Sequence, residues 1–219
     1  MAEDATPERA DQLAANFAAS LRDREGRPAT GRVTMLEKTP KNSLRIPFLA
    51  KIFPDARFLY LHRDPRETLS SMIEAWRTGR FVTYPRLPGW PPPAWSLLLI
   101  PGWRDLIHMP LEAIVARQWA ETTRTLLDDL EALPRERVFA VSHARFLGAP
   151  QQAVQALSAA LELAWDRSLG SRLPLSPTVV SAPEPDKWRR HAAEIERVWS
   201  LVERVAKRAE IFLAAHEVR

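Results

Sequence analysis

The chain has 219 residues, of which 46% are hydrophobic, and this suits one α/β domain with a sizeable core. Its 31 basic and 27 acidic side chains give a net charge of only +4, spread along the chain, which favours a small anionic ligand over a nucleic-acid partner. Cysteine is absent, so disulfides, thiolate catalysis and cysteine-ligated metal sites are excluded, and we expect a reducing, cytoplasmic location.

The N-terminal region, residues 1–30, predicts one amphipathic helix. Thr6 and Pro7 form a helix start signal, and apolar residues recur at helical spacing from Ala10 to Leu21. The first twelve residues are acidic and lack the apolar core of a signal peptide. No apolar run approaches the roughly 20 residues that cross a bilayer, so we expect no membrane association.

The next region predicts two neighbouring parallel strands joined by a helix. The strands are expected at residues 33–38 and 57–62, and the second (RFLYLH) is the nearly continuous apolar run typical of a buried parallel strand. Residues 42–53 are expected to form the crossover helix between them. Together these elements predict a βαβ unit.

A helix is expected to start directly after the second strand. Asp64 can cap it, Pro65 fits its first position, and Glu67 completes a capping box. The buried face of this helix is predicted from apolar residues at helical spacing: Leu69, Met72, Ile73 and Trp76. A helix at 111–133 and a strand at 137–142 repeat the alternation, which predicts a three-layer α/β fold with a mainly parallel sheet.

Two regions interrupt this alternation. Residues 84–110 contain seven prolines and three tryptophans, so they are expected to form a stiff excursion or lid. Those tryptophans, at positions 90, 95 and 103, have two interpretations: they line an acceptor pocket or stack on an adenine, or they pack beneath the lid. Residues 170–187 are rich in Ser and Pro and are expected to form a loop, and a C-terminal helix is expected at 189–216 within the same single domain.

Arg63 is the main candidate for ligand binding because it lies where the second predicted strand meets its helix. Ligands of open parallel sheets bind beyond the carboxyl ends of the strands, and the following helix offers unpaired N–H groups to an anion. Ser71 is predicted to face away from the packed side of the helix, so Arg63 and Ser71 can hold one phosphate. The alternative is that Arg63 pairs with Asp64 or Glu67 while Ser71 faces solvent.

Lys38 is the candidate catalytic residue. It ends the neighbouring predicted strand at the same edge of the sheet, where it can stabilise charge on a leaving-group oxygen; a solvated strand-end lysine is the alternative. Glu37 alternates in direction with Lys38 and is a weak candidate for the general base. His62 is interpreted as a satisfied strand histidine rather than a base.

Several of these residues resemble the central block of sulfotransferases that use 3′-phosphoadenosine 5′-phosphosulfate (PAPS). The similar stretches are residues 37–42 (EKTPKN), 53–58 (FPDARF) and 63–66 (RDPR) with Ser71, and the bacterial branch related to tyrosylprotein sulfotransferases is the most similar. The resemblance implies a P-loop-like fold and sulfonate transfer to a hydroxyl acceptor, either a small molecule or a peptide. It implies that Arg63 and Ser71 bind the 3′-phosphate of the nucleotide, and that Lys38, 25 positions before Arg63, contacts the sulfonate.

The resemblance is weaker toward the C-terminus and covers about residues 33–215 in all. Residues 138–148 occupy the place of a family strand and its Tyr-Glu-Asp-Leu-like turn. They differ from the usual sequence of that turn, since residues 142–145 are Ser-His-Ala-Arg. Residues 176–188 resemble a late loop that approaches the nucleotide. This implies nucleotide contacts from Ser176, Lys187 and Trp188, with Ser181 a rival to Ser176.

One part of the family pattern has no counterpart here. The family begins with a strand and a Gly/Ser/Thr-rich loop that cradles the 5′-phosphosulfate, and no such loop is recognisable before Glu37. Three explanations remain open: a piece of a longer enzyme, which we favour, a loop supplied by a partner chain, as in a homo-oligomer, or a catalytically silent nucleotide-binding or assembly module. No metal is expected, because the five histidines show no paired ligand spacing and the family's chemistry needs none.

Overall fold

The computed structural model describes residues 2–23, 25–31, 33–170, 173–174, 184 and 186–218. The chain divides into two units, Met1–Ala56 and Arg57–Arg219, and the second holds both strand pairs and most of the helices that the described residues form.

In the N-terminal unit, the described residues form two α-helices. Helix α1 (Pro7–Ser20) begins as predicted, since the Thr6 hydroxyl accepts a hydrogen bond from the backbone N–H of Arg9 at 3.3 Å. Helix α2 (Ile46–Ile52), preceded by a 3₁₀ turn at Pro40–Leu44, confirms the helix expected in residues 42–53.

The strand predicted at residues 33–38 is wrong, because this described segment forms no strand in the structure. Its polar end is engaged locally instead: the Glu37 carboxylate accepts hydrogen bonds from the side chains of Thr39 and Asn42. Local side-chain bonds of this kind compete with a sheet ladder. The βαβ unit predicted from this strand is therefore not formed.

The second unit follows the predicted alternation more closely. Its elements in chain order are β1 (Phe58–His62), α3 (Pro65–Thr78), β2 (Val82–Tyr84), β3 (Trp95–Ser96), α4 (Leu111–Glu131), β4 (Val138–Ser142), α5 (His143–Gly148), α6 (Pro150–Ala160) and α7 (Ala192–His216). A 3₁₀ turn at Lys187–His191 leads into α7. The strands predicted at 57–62 and 137–142 and the helices predicted at 111–133 and 189–216 are all present.

Strands β1 and β4 form a two-stranded parallel sheet. The register places Phe58 opposite Val138 and His62 opposite Ser142. One face of this sheet packs against α7, where the rings of Tyr60 and Phe212 meet edge to face at 5.6 Å. The fold is therefore α/β, with a smaller parallel sheet among the described residues than the sequence predicts.

The Pro/Trp-rich segment contributes to the core of the second unit. Strands β2 and β3 pair antiparallel, and Trp95 on β3 is fully buried against Trp76, Trp90 and Trp103. The Gln118 side chain on α4 joins this cluster by accepting a hydrogen bond from Trp76 Nε1 at 3.1 Å. Of the two interpretations of these tryptophans, the structure supports packing.

Candidate functional site

The junction between β1 and α3 has the geometry of an anion site. Arg63 directly follows β1, and the Asp64 carboxylate caps α3 by accepting a hydrogen bond from the Glu67 backbone N–H at 3.0 Å. The Glu67 carboxylate turns to Arg63 Nε at 3.4 Å, and the two side chains are 38% and 40% exposed. Arg63 is therefore held loosely, at the carboxyl end of a parallel strand and beside the positive end of a 14-residue helix.

Two adjacent serines on α3 have different surroundings. Ser71 lies one turn after Glu67 on the same side of the helix and is half-buried, and its hydroxyl has no hydrogen-bond partner within the described part of the chain. Ser70 is 3% exposed, and its hydroxyl lies 2.9 Å from His191 Nδ1. Ser71 is thus the serine that is open to a ligand, and Ser70 is the structural one.

Replacing Ser70 with alanine is expected to lower the free energy of unfolding by about 1–2 kcal/mol, because it leaves a buried imidazole nitrogen without its partner. Chemical denaturation measures the loss. Ser71→Ala is the matched control, with an expected change within about 0.5 kcal/mol. Equal losses in the two variants would contradict this assignment of the serines.

The structure adds His143 to this edge of the sheet. Because His62 and Ser142 are paired in register, Arg63 and His143 are the first residues to leave β1 and β4. His143 is half-buried, and burial lowers the pKa of its ring. The positive charge of Arg63 lowers that pKa further, while the Glu67 carboxylate raises it. The sequence contained a signal for this residue, since it follows a predicted strand of the same sheet.

Lys187 and Trp188 are held against α3 by side-chain contacts. Lys187 Nζ lies 3.0 Å from Glu74 Oε2, and the two side chains are only 16% and 17% exposed. The guanidinium of Arg66 stacks 3.8 Å from the centre of the Trp199 ring and 5.6 Å from that of Trp188. The nucleotide contacts expected from Lys187 and Trp188 remain predictions, and the segment that carries them is anchored to the helix that begins beside Arg63.

Lys38 and Ser176 are the other two predicted site residues, and the structure describes the first of them. Lys38 is exposed in the N-terminal unit, in an extended segment, and its catalytic role remains a prediction. Ser176 and its rival Ser181 lie outside the described residues.

His62 is buried at the end of β1 and differs from the satisfied histidine that the sequence predicts. Its ring packs edge-on against Tyr60 at 6.0 Å, and among the described residues its Nε2 has no hydrogen-bond partner. Burial lowers the pKa of His62. The carboxylates of Glu210, Asp64 and Glu217 raise this pKa, but their contributions are smaller than that of burial. The folded protein therefore favours the neutral ring.

Stability is expected to fall as the pH drops below the ordinary histidine value of about 6.5. In that range the unfolded chain binds a proton at His62 that the folded protein resists, so acid favours unfolding. Urea denaturation at pH 7 and pH 5.5 measures the effect. His62→Gln should reduce the dependence more than His108→Gln, which alters an exposed histidine; equal pH dependence in both variants would contradict the assignment.

Two further features bear on function. Nowhere in the described ranges do three or more His, Cys, Asp or Glu side chains come together so that they could hold a metal ion. Among the same residues, no helix combines the length and apolar character needed to span a bilayer.

Comparison with known proteins yields one match. The sequence pattern of the Sulfotransferase family matches residues 1–167, which is more than half of the 219-residue chain. Neither a curated protein nor a solved structure matches. The family match agrees with the α/β fold, and it shows that this chain belongs to the sulfotransferase family.

Proposed function

We propose that the chain is a PAPS-dependent sulfotransferase that moves a sulfonate from the nucleotide to a hydroxyl group of a small molecule or peptide. The observation that carries the proposal is the placement of Arg63 between the carboxyl end of β1 and α3, with Ser71 on the second turn of that helix. Family membership supplies the reaction class. The donor and the acceptor class rest on the resemblance of residues 37–71 to the family's central block.

Arg63 and Ser71 are proposed to hold the 3′-phosphate. The guanidinium and the hydroxyl both donate to phosphate oxygens, and the dipole of α3 adds to the attraction. The phosphate must displace Glu67 from Arg63, and this costs little because half-exposed ion pairs contribute about 0–1 kcal/mol. Hydrogen bonds to charged groups contribute about 1.5–3 kcal/mol each, so the exchange favours the ligand.

Lys38 is proposed to act on the reacting end of the nucleotide. The acceptor oxygen attacks the sulfur in line, the bond from sulfur to the bridging phosphate oxygen breaks, and negative charge develops on that oxygen. The ammonium of Lys38 stabilises this charge, and the proton of the acceptor hydroxyl leaves to a base that is unassigned. Ser176 is proposed to contact the nucleotide, Lys187 and Trp188 are proposed to close over it, and no metal ion takes part.

A catalytically silent module that binds 3′-phosphoadenosine nucleotides, or serves in assembly, is the alternative. It is kept as the alternative because no Gly/Ser/Thr-rich loop for the 5′-phosphosulfate is recognisable within residues 1–36. Both functions use the same contacts from Arg63 and Ser71. They differ in whether the sulfonate is transferred.

Two measurements on one sample separate these functions. Calorimetry with 3′,5′-adenosine bisphosphate reports binding, and transfer of labelled sulfonate from PAPS to a mixture of phenols and tyrosine peptides reports catalysis. Binding with transfer that is lost in Arg63→Ala supports the sulfotransferase. Binding without transfer supports the silent module, and a chain that does not bind the bisphosphate overturns both proposals.

A further inference from the structure

A cation, a carboxylate and an imidazole share the carboxyl edge of the β1–β4 sheet. Paired strands lie about 4.8 Å apart, so the backbones of Arg63 and His143 leave the sheet side by side. Glu67 reaches back from the first turn of α3 to Arg63 at 3.4 Å. These three groups are close enough for the charges of Arg63 and Glu67 both to act on the His143 ring.

The surroundings of His143 favour its neutral form. Its ring is half-buried and has the Arg63 cation beside it, and these two conditions outweigh the Glu67 carboxylate and lower the ring's pKa. Arg145, on the same helix as His143, is engaged elsewhere, because its guanidinium donates to the backbone carbonyl of Val218. The protonation of His143 therefore depends on the charges of Arg63 and Glu67, which lie beside it at the edge of the sheet.

An oxyanion bound to Arg63 reverses this balance. It brings negative charge next to the imidazole and neutralises the nearby guanidinium. It also releases Glu67 from Arg63, so that the carboxylate is free to accept a hydrogen bond from a protonated ring. All three changes favour the charged form of His143.

We propose that His143 is a further ligand-binding residue of this site, and that it takes up a proton from solvent when a phosphate binds to Arg63. The inference rests on the proposed function, because the phosphate is identified as the 3′-phosphate of the nucleotide. It makes the affinity for the ligand depend on pH through a residue that is distinct from Arg63 and Ser71.

Calorimetry measures the proton uptake directly. Titrations with 3′,5′-adenosine bisphosphate at pH 7, in two buffers with different ionisation enthalpies, give the number of protons taken up on binding. The wild type and His108→Gln are expected to take up more protons on binding than His143→Gln. Protonation of the nucleotide itself contributes equally to all three proteins, so the difference isolates His143.

The outcomes distinguish this inference from the proposed function. Equal proton uptake in His143→Gln and the wild type, with binding intact, would overturn the role of His143 alone. A wild-type chain that does not bind the bisphosphate would overturn the proposed function and this inference with it. If His143→Gln does not fold, an NMR titration of the wild-type His143 ring provides the test, and its pKa must rise when the bisphosphate is added.

Discussion

Replacing Trp95 with alanine is expected to lower the free energy of unfolding by about 3–5 kcal/mol, the usual cost of removing a fully buried large aromatic side chain. Trp95 meets Trp90 and Trp76 edge to face, with ring centres 4.7 Å and 5.3 Å apart. Its Nε1 also donates a hydrogen bond to the Leu98 carbonyl at 3.1 Å. Alanine leaves a cavity and removes one of the two hydrogen bonds that the Leu98 carbonyl accepts, the other coming from Gln118 Nε2. Chemical denaturation measures the loss.

Trp165→Ala is the control, since it removes the same side chain from a position that is 39% exposed. We expect it to change the free energy of unfolding by about 1 kcal/mol or less. If both variants lose the same stability, the tryptophan cluster of the Pro/Trp-rich segment is not part of the core.

Replacing Arg63 with alanine is expected to weaken binding of 3′,5′-adenosine bisphosphate by about 2 kcal/mol or more, which corresponds to about 30-fold in affinity. The variant loses the charge-assisted hydrogen bonds proposed for the 3′-phosphate. Its stability should change little, because the Arg63–Glu67 pair is half-exposed and 3.4 Å long. Calorimetry and chemical denaturation on the same preparation measure the two effects.

Arg80→Ala is the matched control for this measurement. Arg80 is exposed, lies just beyond the end of α3 in the same unit, and carries the same charge. Its removal should leave the affinity within a factor of about two. Equal weakening in the two variants would mean that the bisphosphate responds to overall charge and not to the start of α3.

The elements that the sequence predicted well are those with local signals. Helix α3 follows from a capping residue, a proline and an apolar stripe that lie within fourteen positions of one another. Strands β1 and β4 follow from short apolar runs. Residues 33–38 carry a similar pattern without forming a strand, because an extended pattern does not specify a pairing partner and Glu37 is engaged by its own neighbours.

The candidate site was predictable to the extent that it depends on one strand and one helix. The position of Arg63 follows from the strand-to-helix junction, and the orientation of Ser71 follows from helical periodicity. The bond between Ser70 and His191 spans 121 positions, and the pair of Lys187 with Glu74 joins the same distant parts of the chain. No local pattern encodes such contacts, so the anchoring of Lys187 emerges only from the folded structure.

A comparison of two nucleotides on the unmodified protein tests the site proposed for the 3′-phosphate. Calorimetry measures the affinity for 3′,5′-adenosine bisphosphate and for adenosine 5′-monophosphate, two nucleotides that differ by the 3′-phosphate alone. The contacts proposed for Arg63 and Ser71 predict that the bisphosphate binds at least about tenfold more tightly, as expected for one charge-assisted hydrogen bond or more. Equal affinity for the two nucleotides would contradict the assignment of this site to the 3′-phosphate.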